Sequence, residues 1–348
     1  MTFQIITNGC EATQGNIDTV RRSVINELGL FPTEHNPDIV IMFPCTFNQQ
    51  IRNDSDLLLQ TLFDSHKDAK RIFITGCFLD TQFSKIENVH YAKYGTLIEN
   101  VRNFVHSFQY QKNTEVYTTS SPFVEISRGC YGACTFCSIV SVKGKHTSES
   151  VDFILKKITE LEKQFHTIKL VGDEVAGYGK DTESSLEILI STIFKRFPNL
   201  QLELGQLNPN ILKDWNHEDY EFLSDPRIVG SIHLPLQSAS NTVLKKMNRF
   251  YTIEQFKNIY KRISAVRKND KISTDIIIGF PGETEEDHEQ NIQFLQSHPF
   301  DFYGVFMFDK TDRKTPAGRM ADHVENSIVQ RRYEEIMNVV SQFKKEVV

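Results

Sequence analysis

Arg128-Gly129-Cys130-Tyr131-Gly132-Ala133-Cys134-Thr135-Phe136-Cys137 follows closely on the strand-like run Pro122-Phe123-Val124-Glu125-Ile126. Three residues separate its first two cysteines and two separate the next pair. That spacing suits thiolate ligation of a four-iron, four-sulfur cluster with one iron left open to a small chelating molecule. Gly129 and Gly132 permit the close backbone approach that such a loop needs. The same residues would also serve a disulfide with a spare thiol, or a structural zinc with His146 as fourth ligand.

The chain holds six cysteines, and the other three close apolar runs far apart in sequence. Ile5-Ile6-Thr7-Asn8-Gly9-Cys10, Val40-Ile41-Met42-Phe43-Pro44-Cys45 and Ile72-Phe73-Ile74-Thr75-Gly76-Cys77 each run apolar into a turn-forming residue and then a thiol. Continuous apolar runs suit parallel strands covered on both faces. Ligands of an open parallel sheet gather beyond the carboxyl ends of its strands, so Cys10, Cys45 and Cys77 are expected to converge there on a second cluster. A free cysteine is also commonly a small buried hydrophobe, an alternative that fits any one of the three better than all of them together.

Length and composition allow two cores: 348 residues, 39% hydrophobic and 24% charged. The polar stretch from Gln111 to Ser121 separates an open parallel α/β sheet domain at 1–115 from a second domain at 122–348. In the second, strands are expected at Thr167–Val171, Leu202–Leu204, Val229–Leu234, Ile272–Ile278 and Tyr303–Phe308. Amphipathic helices fill most gaps, among them Val151–Phe165 and Ile253–Val266. With the strand before Cys130 this makes about six strand-and-helix units, the pattern of a closed or partly closed α/β barrel with its site at the strand ends.

No uninterrupted apolar stretch reaches membrane-spanning length, and no signal pattern precedes the first strand. A cytoplasmic protein with no membrane partner is expected, in a compartment that keeps thiols reduced. Lys and Arg number 39 against 45 Asp and Glu, a formal charge of -6. That balance asks for no nucleic acid, although a local basic patch is compatible with it.

Candidate binding groups recur at the same end of successive strands. They are Gly172-Asp173-Glu174, where a carboxylate suits an ammonium or a ribose hydroxyl; Gln206 and Asn208; His233, Gln237 and Ser238; and Asp275, followed by Gly279-Phe280-Pro281-Gly282-Glu283-Thr284. Any one of these, Glu283 above all, reads equally well as a cap or turn residue. Recurrence at one end is what points to a site.

These stretches together resemble the radical S-adenosylmethionine methylthiotransferases over about residues 1–345. The resemblance rests on Cys10, Cys45 and Cys77, on Cys130-x3-Cys134-x2-Cys137, and on Leu170 through Asp181. It continues in His233-Leu234-Pro235-Leu236-Gln237-Ser238-Ala239-Ser240 with Met247 and Arg249, and in Thr274 through Thr284. It implies a radical S-adenosylmethionine partial (β/α)6 barrel after the first domain, with two [4Fe-4S] clusters and S-adenosyl-L-methionine as cofactors. It implies a transferase that inserts a methylthio group at an unactivated carbon, fed by a cellular electron donor. By the same resemblance Cys130, Cys134 and Cys137 carry the cluster that cleaves S-adenosylmethionine, Cys10, Cys45 and Cys77 carry the cluster that delivers sulfur, and a second S-adenosylmethionine supplies the methyl. Phe136, Gly172, Asp173, Glu174, Gln206, Asn208, His233, Gln237, Arg249 and Asp275 then surround the cofactor.

Several positions depart from the family's usual pattern. An RNA-binding β-domain commonly follows the barrel, whereas this sequence closes on the helical stretch Val329–Lys345 and none is expected. Lys143-Gly144-Lys145-His146-Thr147-Ser148-Glu149 stands where an arginine-rich segment is usual, and Asp309, Lys310 and Asp312 stand at positions usually aromatic, serine and arginine. In the first domain Thr13 and Phe43-Pro44 replace a common Asn and a common Asn-Thr pair. A peptide, protein or small metabolite is therefore expected as substrate ahead of tRNA, whose phosphates would need Arg249, Arg313, Arg319, Arg331 and Arg332 to converge on one face. Sulfur insertion without methylation, and a noncatalytic iron-sulfur electron carrier or binding module, the carrier being unable to cleave S-adenosylmethionine, are the remaining classes.

Overall fold

The computed structural model describes residues 1–8, 11–44, 49–66, 68–75, 88–92, 94–109, 121–267, 271–310, 315–343 and 346–347. Cys10, Cys45, Cys77, Asp312, Arg313 and most of the expected linker lie outside them. The chain forms two compact units, Met1–Glu125 with Ser141–Gly144, and Ile126–Val140 with Lys145–Val348. No helix among the described residues is long and apolar enough to cross a membrane.

In the first unit β1 (Thr2–Thr7), β2 (Phe31–Pro32), β3 (Ile39–Phe43), β4 (Arg71–Ile74) and β5 (Val89–Tyr91) form one parallel sheet in the order β2-β1-β3-β4-β5. β3 shows why its sequence is apolar without alternation. Ile39, Ile41 and Phe43 join one buried cluster with Val20, Val24, Leu97 and Val101, while Val40 and Met42 join another with Leu59 and Leu62. A strand buried on both faces needs an apolar side chain at every position. β2 has only two residues, too few for periodicity to announce it. Thr7 pairs with Phe43, and Met42 with Ile74. The strands that precede Cys10, Cys45 and Cys77 in sequence are therefore neighbours, with their carboxyl ends side by side.

β6 (Phe123–Arg128) runs into the second unit at Ile126, which also contains β7 (Thr147–Ser148), β8 (Thr167–Gly172), β9 (Gln201–Leu204), β10 (Ile232–His233), β11 (Ile272–Ile278), β12 (Phe302–Met307) and β13 (Glu346–Val347). They form two sheets, β7-β6-β8-β9 and β10-β11-β12-β13. A parallel bridge from Leu202 to Ile228 and a 2.9 Å bond from Leu207 N–H to the His233 carbonyl carry the ladder from β9 towards β10. The result is the partial α/β barrel expected from the sequence. The expected strand Val229–Leu234 shortens to Ile232–His233, because Val229 N–H bonds back to the Leu202 carbonyl at 2.8 Å and Gly230 turns with a φ of 77°.

Helices start where side-chain oxygens meet their first free N–H groups. Ser150, Ser185 and Ser240 cap Val151–Leu161, Leu186–Arg196 and Asn241–Lys246. Thr252 with Gln255, and Thr284 with Asp287, form capping boxes for Ile253–Val266 and Glu285–Ser297. Glu283 proves to be structural. Its fully buried carboxylate accepts from Arg332 at 2.7 Å and from Gly279 N–H at 3.2 Å, tying the turn after β11 to the helix Asn326–Ser341.

Candidate active site at the cysteine loop

The loop leaves β6 at Gly129, whose φ of 75° is a conformation that glycine adopts without strain. Gly129 N–H donates to Asp173 Oδ2 at 2.9 Å, just beyond β8. Further along, Thr135 N–H donates to the Met247 carbonyl at 3.0 Å and its hydroxyl to the Lys246 carbonyl at 2.9 Å. Asn248 Nδ2 donates to the Ala133 carbonyl at 2.7 Å, and Ala317 N–H to the Thr135 carbonyl at 2.8 Å. Phe136 packs on an apolar cluster of Val243, Met247, Phe280 and Ala317, edge-on to Phe280 at 6.4 Å. Thus three later segments hold ten residues of loop in one shape. Asn248 is a holding residue that sequence reasoning missed. Its signal was an asparagine directly after a helix end, where its left-handed φ of 58° is tolerated.

Cys130, Cys134 and Cys137 are partly buried thiols that form no disulfide among the described residues. A Cβ on Gly132 would lie 3.3 Å from Cys130 Sγ and 3.6 Å from Cys134 Sγ, so this glycine keeps open the space between the two thiols. Gly132 N–H donates to Cys130 Sγ at 3.2 Å and Ile139 N–H to Cys137 Sγ at 3.5 Å, the kind of contact that tunes cluster thiolates. Burial, then the Glu174 carboxylate, push the Cys130 thiol up to about 12, so a thiolate there needs a cation against it. Among the described residues no three His, Cys, Asp or Glu side chains gather closely enough for a single metal ion. His146 bonds the Glu174 carbonyl through Nε2 at 3.1 Å, and the single-ion zinc alternative that used it finds no assembled ligand group among the described residues. Three thiols on one short loop, with Gly132 leaving space between two of them, are a donor set whose chemistry fits an iron–sulfur cluster.

The two adjacent carboxylates have different surroundings. Asp173 is engaged by the Gly129 N–H, and its carbonyl accepts from Gln206 Nε2 at 2.8 Å. Glu174 is 0% exposed, and neither carboxylate oxygen has a hydrogen bond of full geometry. Burial pushes its pKa up to about 7 against the pull of Asn208 and Arg249. Asn208 caps the short helix Pro209–Leu212 and accepts from Arg249 Nη1 at 3.2 Å. The same Nη1 lies 3.4 Å from Cys134 Sγ, and Nη2 donates to the Pro235 carbonyl at 3.2 Å. Cys134, Arg249, Asn208 and Glu174 are thereby drawn into one buried group. Gly172 is a packing requirement, since a Cβ there would lie 2.5 Å from Ser127 Oγ and 2.8 Å from the Ser127 carbonyl oxygen.

His233 and Asp275 form a second group, bonded to each other through Nε2 and Oδ2 at 2.9 Å, with His233 Nδ1 3.0 Å from Ser273 Oγ. Asp275 lies two positions before Ile277 on β11, so both point to the same face, and Ile277 packs against the cluster that holds Phe136. Gln237 contributes its backbone: with a φ of 68°, its N–H donates to the Asp275 carbonyl and its carbonyl accepts from Ile277 N–H. Asp173→Ala is expected to lower stability by about 1 kcal/mol through the lost acceptor, and to loosen the loop enough to slow cluster reconstitution. Chemical denaturation and iron uptake rate would check the two effects separately.

Residues 124–295 match the Radical SAM superfamily. Across 98% of this chain and 81% of the other, the sequence is 26% identical to the tRNA-2-methylthio-N(6)-dimethylallyladenosine synthase of Clostridium botulinum. It is 27% identical to the ribosomal protein uS12 methylthiotransferase RimO of Chlamydia pneumoniae, over 88% of this chain and 69% of that protein. Among solved structures, the radical S-adenosylmethionine methyltransferase TsrM of Kitasatospora setae aligns with a TM-score of 0.66 at 11% identity. That match covers 91% of this chain and 77% of the other and is a likeness of fold.

Proposed function

The chain belongs to the radical S-adenosylmethionine methylthiotransferases, and we propose that it inserts a methylthio group at an unactivated carbon of a peptide, protein or small metabolite. Its cofactors in this proposal are S-adenosylmethionine and two [4Fe-4S] clusters, one on Cys130, Cys134 and Cys137 and one on Cys10, Cys45 and Cys77. A cellular electron donor serves the first. Bound there, cluster and S-adenosylmethionine supply a one-electron cleavage whose organic radical removes hydrogen from substrate carbon. The observation that carries the proposal is the pinned three-thiol loop beside a buried carboxylate without a full hydrogen bond.

The protein's own part is placement. Glu174 offers its carboxylate to the ammonium of S-adenosylmethionine, a charge-assisted contact. Asp173 instead fixes the loop through Gly129. Arg249 sets a positive charge beside Cys134, where it offsets the charge of the thiolates. Phe136 and its apolar neighbours exclude water from one side of the loop.

The choice of acceptor is supported by where the arginines go. Arg249 is buried against Cys134 and Asn208. Arg331 is bonded to Glu285 and Glu335, and Arg332 to Glu283 and Glu285. Charges already neutralised locally add little to phosphate binding. A second reading, modification of a tRNA adenosine, is favoured by the similarity to the C. botulinum synthase. Reconstituted protein titrated with unmodified tRNA across a salt series should show weak contact that fades as salt rises. Submicromolar binding at ~150 mM salt, with a methylthiolated nucleoside as product, would replace the first acceptor class by the second. Product mass separates methylthiolation from sulfur insertion alone.

A further inference from the structure

His146 is 6% exposed and lies beside the cysteine loop without joining its thiols. Its ring stacks on Tyr131, centroids 4.4 Å apart and planes 17° from parallel. Its Nε2 donates to the main-chain carbonyl of Glu174 at 3.1 Å, and the Ser127 hydroxyl donates to the same oxygen at 2.9 Å. With the ring proton on Nε2, Nδ1 is left 3.8 Å from Asp181 Oδ1, beyond hydrogen-bond reach. β8 ends at Gly172, so no strand ladder fixes the peptide that follows Glu174. Two side-chain donors do so instead. Tyr131 directly follows Cys130, so one imidazole touches both the loop that carries the thiols and the peptide from which the Glu174 carboxylate projects.

We propose that His146 is a positioning residue for S-adenosylmethionine: by holding the Glu174 carbonyl while stacked on Tyr131, it sets the direction of the Glu174 carboxylate relative to the cysteine loop. The inference rests on the assignment of Glu174 to the ammonium. Water cannot replace a lost donor at so enclosed a position, so removal of the Nε2–H leaves the carbonyl with one donor and the peptide freer to rotate.

Two variants divide the contacts. His146→Phe keeps volume and stacking but has no donor; His146→Gln keeps an N–H donor but cannot stack. At full iron content, His146→Phe is expected to weaken S-adenosylmethionine binding about tenfold, the scale of one buried hydrogen bond, while His146→Gln stays closer to the parent. The change in the electron paramagnetic resonance spectrum of the reduced cluster on adding S-adenosylmethionine should diminish in parallel. Parental affinity and spectrum in His146→Phe would overturn the proposal, as would a loss confined to melting temperature. If His146→Phe takes up less iron, Ser127→Ala removes the companion donor without touching the stack. A several-fold weaker affinity is then expected, and unchanged affinity overturns the proposal. Unchanged binding in Glu174→Gln would instead sink the ammonium assignment, and a His146→Phe defect of full size in that background would overturn the proposal, because His146 would then act independently of the Glu174 carboxylate.

Discussion

Replacing Cys130, Cys134 and Cys137 together with alanine should abolish reductive cleavage of S-adenosylmethionine and lower reconstituted iron from about eight to about four atoms per chain. Among the described residues no group of three His, Cys, Asp or Glu side chains is assembled that could take a metal ion in place of the thiols. The loop's shape should largely survive: the thiols' own contacts with Gly132 N–H, Ile139 N–H and Arg249 are lost, but the bonds to Asp173, Met247, Asn248 and Ala317 that pin the loop to later segments remain. The matching triple replacement of Cys10, Cys45 and Cys77 should leave 5'-deoxyadenosine formation intact and remove sulfur transfer. Anaerobic reconstitution with iron analysis and product chromatography reads both. Four irons in fully active parent protein would contradict two clusters, and methylthiolated product from the second variant would contradict the division of labour.

Glu174→Gln should weaken S-adenosylmethionine binding by roughly 10- to 100-fold, the range for a lost charge-assisted hydrogen bond in an enclosed site. It should also flatten the pH dependence. Burial holds the Glu174 carboxyl at about 7 in the cofactor-free chain, so at lower pH it must release a proton before it can meet an ammonium. Parent affinity should therefore rise about tenfold per pH unit towards pH 7 and level off above it, whereas the amide variant has no such proton to lose. Stability of the cofactor-free protein runs the other way. Between the ordinary value of 4.5 and 7, the folded chain binds this proton more tightly than the unfolded chain. The contribution of Glu174 to stability thus declines as pH rises through that window. The difference between parent and variant isolates it from Glu283, which burial also pushes up to about 7 despite Arg332. Equal affinity slopes in the two proteins, measured by anaerobic equilibrium dialysis, would remove Glu174 from the ammonium site.

Periodicity and spacing made much of this protein legible in one dimension. Ile272–Ile278 and Ile253–Val266 are the strand and helix that their side-chain patterns announce, because alternation and helical repeat are local properties of the backbone. The continuous apolar run of β3 revealed a strand covered on both sides for the same reason. The turn at Gly230 was not legible: the shortening of β10 follows from a bond between Val229 and Leu202, a pairing with no trace in either segment alone.

The cysteine spacing by itself determined the chemistry available to the loop, since three thiols within eight residues of chain can share one cluster wherever that loop is placed. Recurrent polar residues marked the strand ends at which a site could form, but all looked alike there. Tertiary structure alone separated Asp173 from its neighbour Glu174, by bringing the Gly129 N–H to the first from 44 positions away and enclosing the second. It set Arg249 beside Cys134 across 115 positions, bonded His146 to the Glu174 carbonyl across 28, and paired Glu283 with Arg332 across 49. The physical reason is common to all of these: a side chain's type is written in the chain, but whether its charge or proton is already satisfied depends on partners that only folding brings within hydrogen-bond reach.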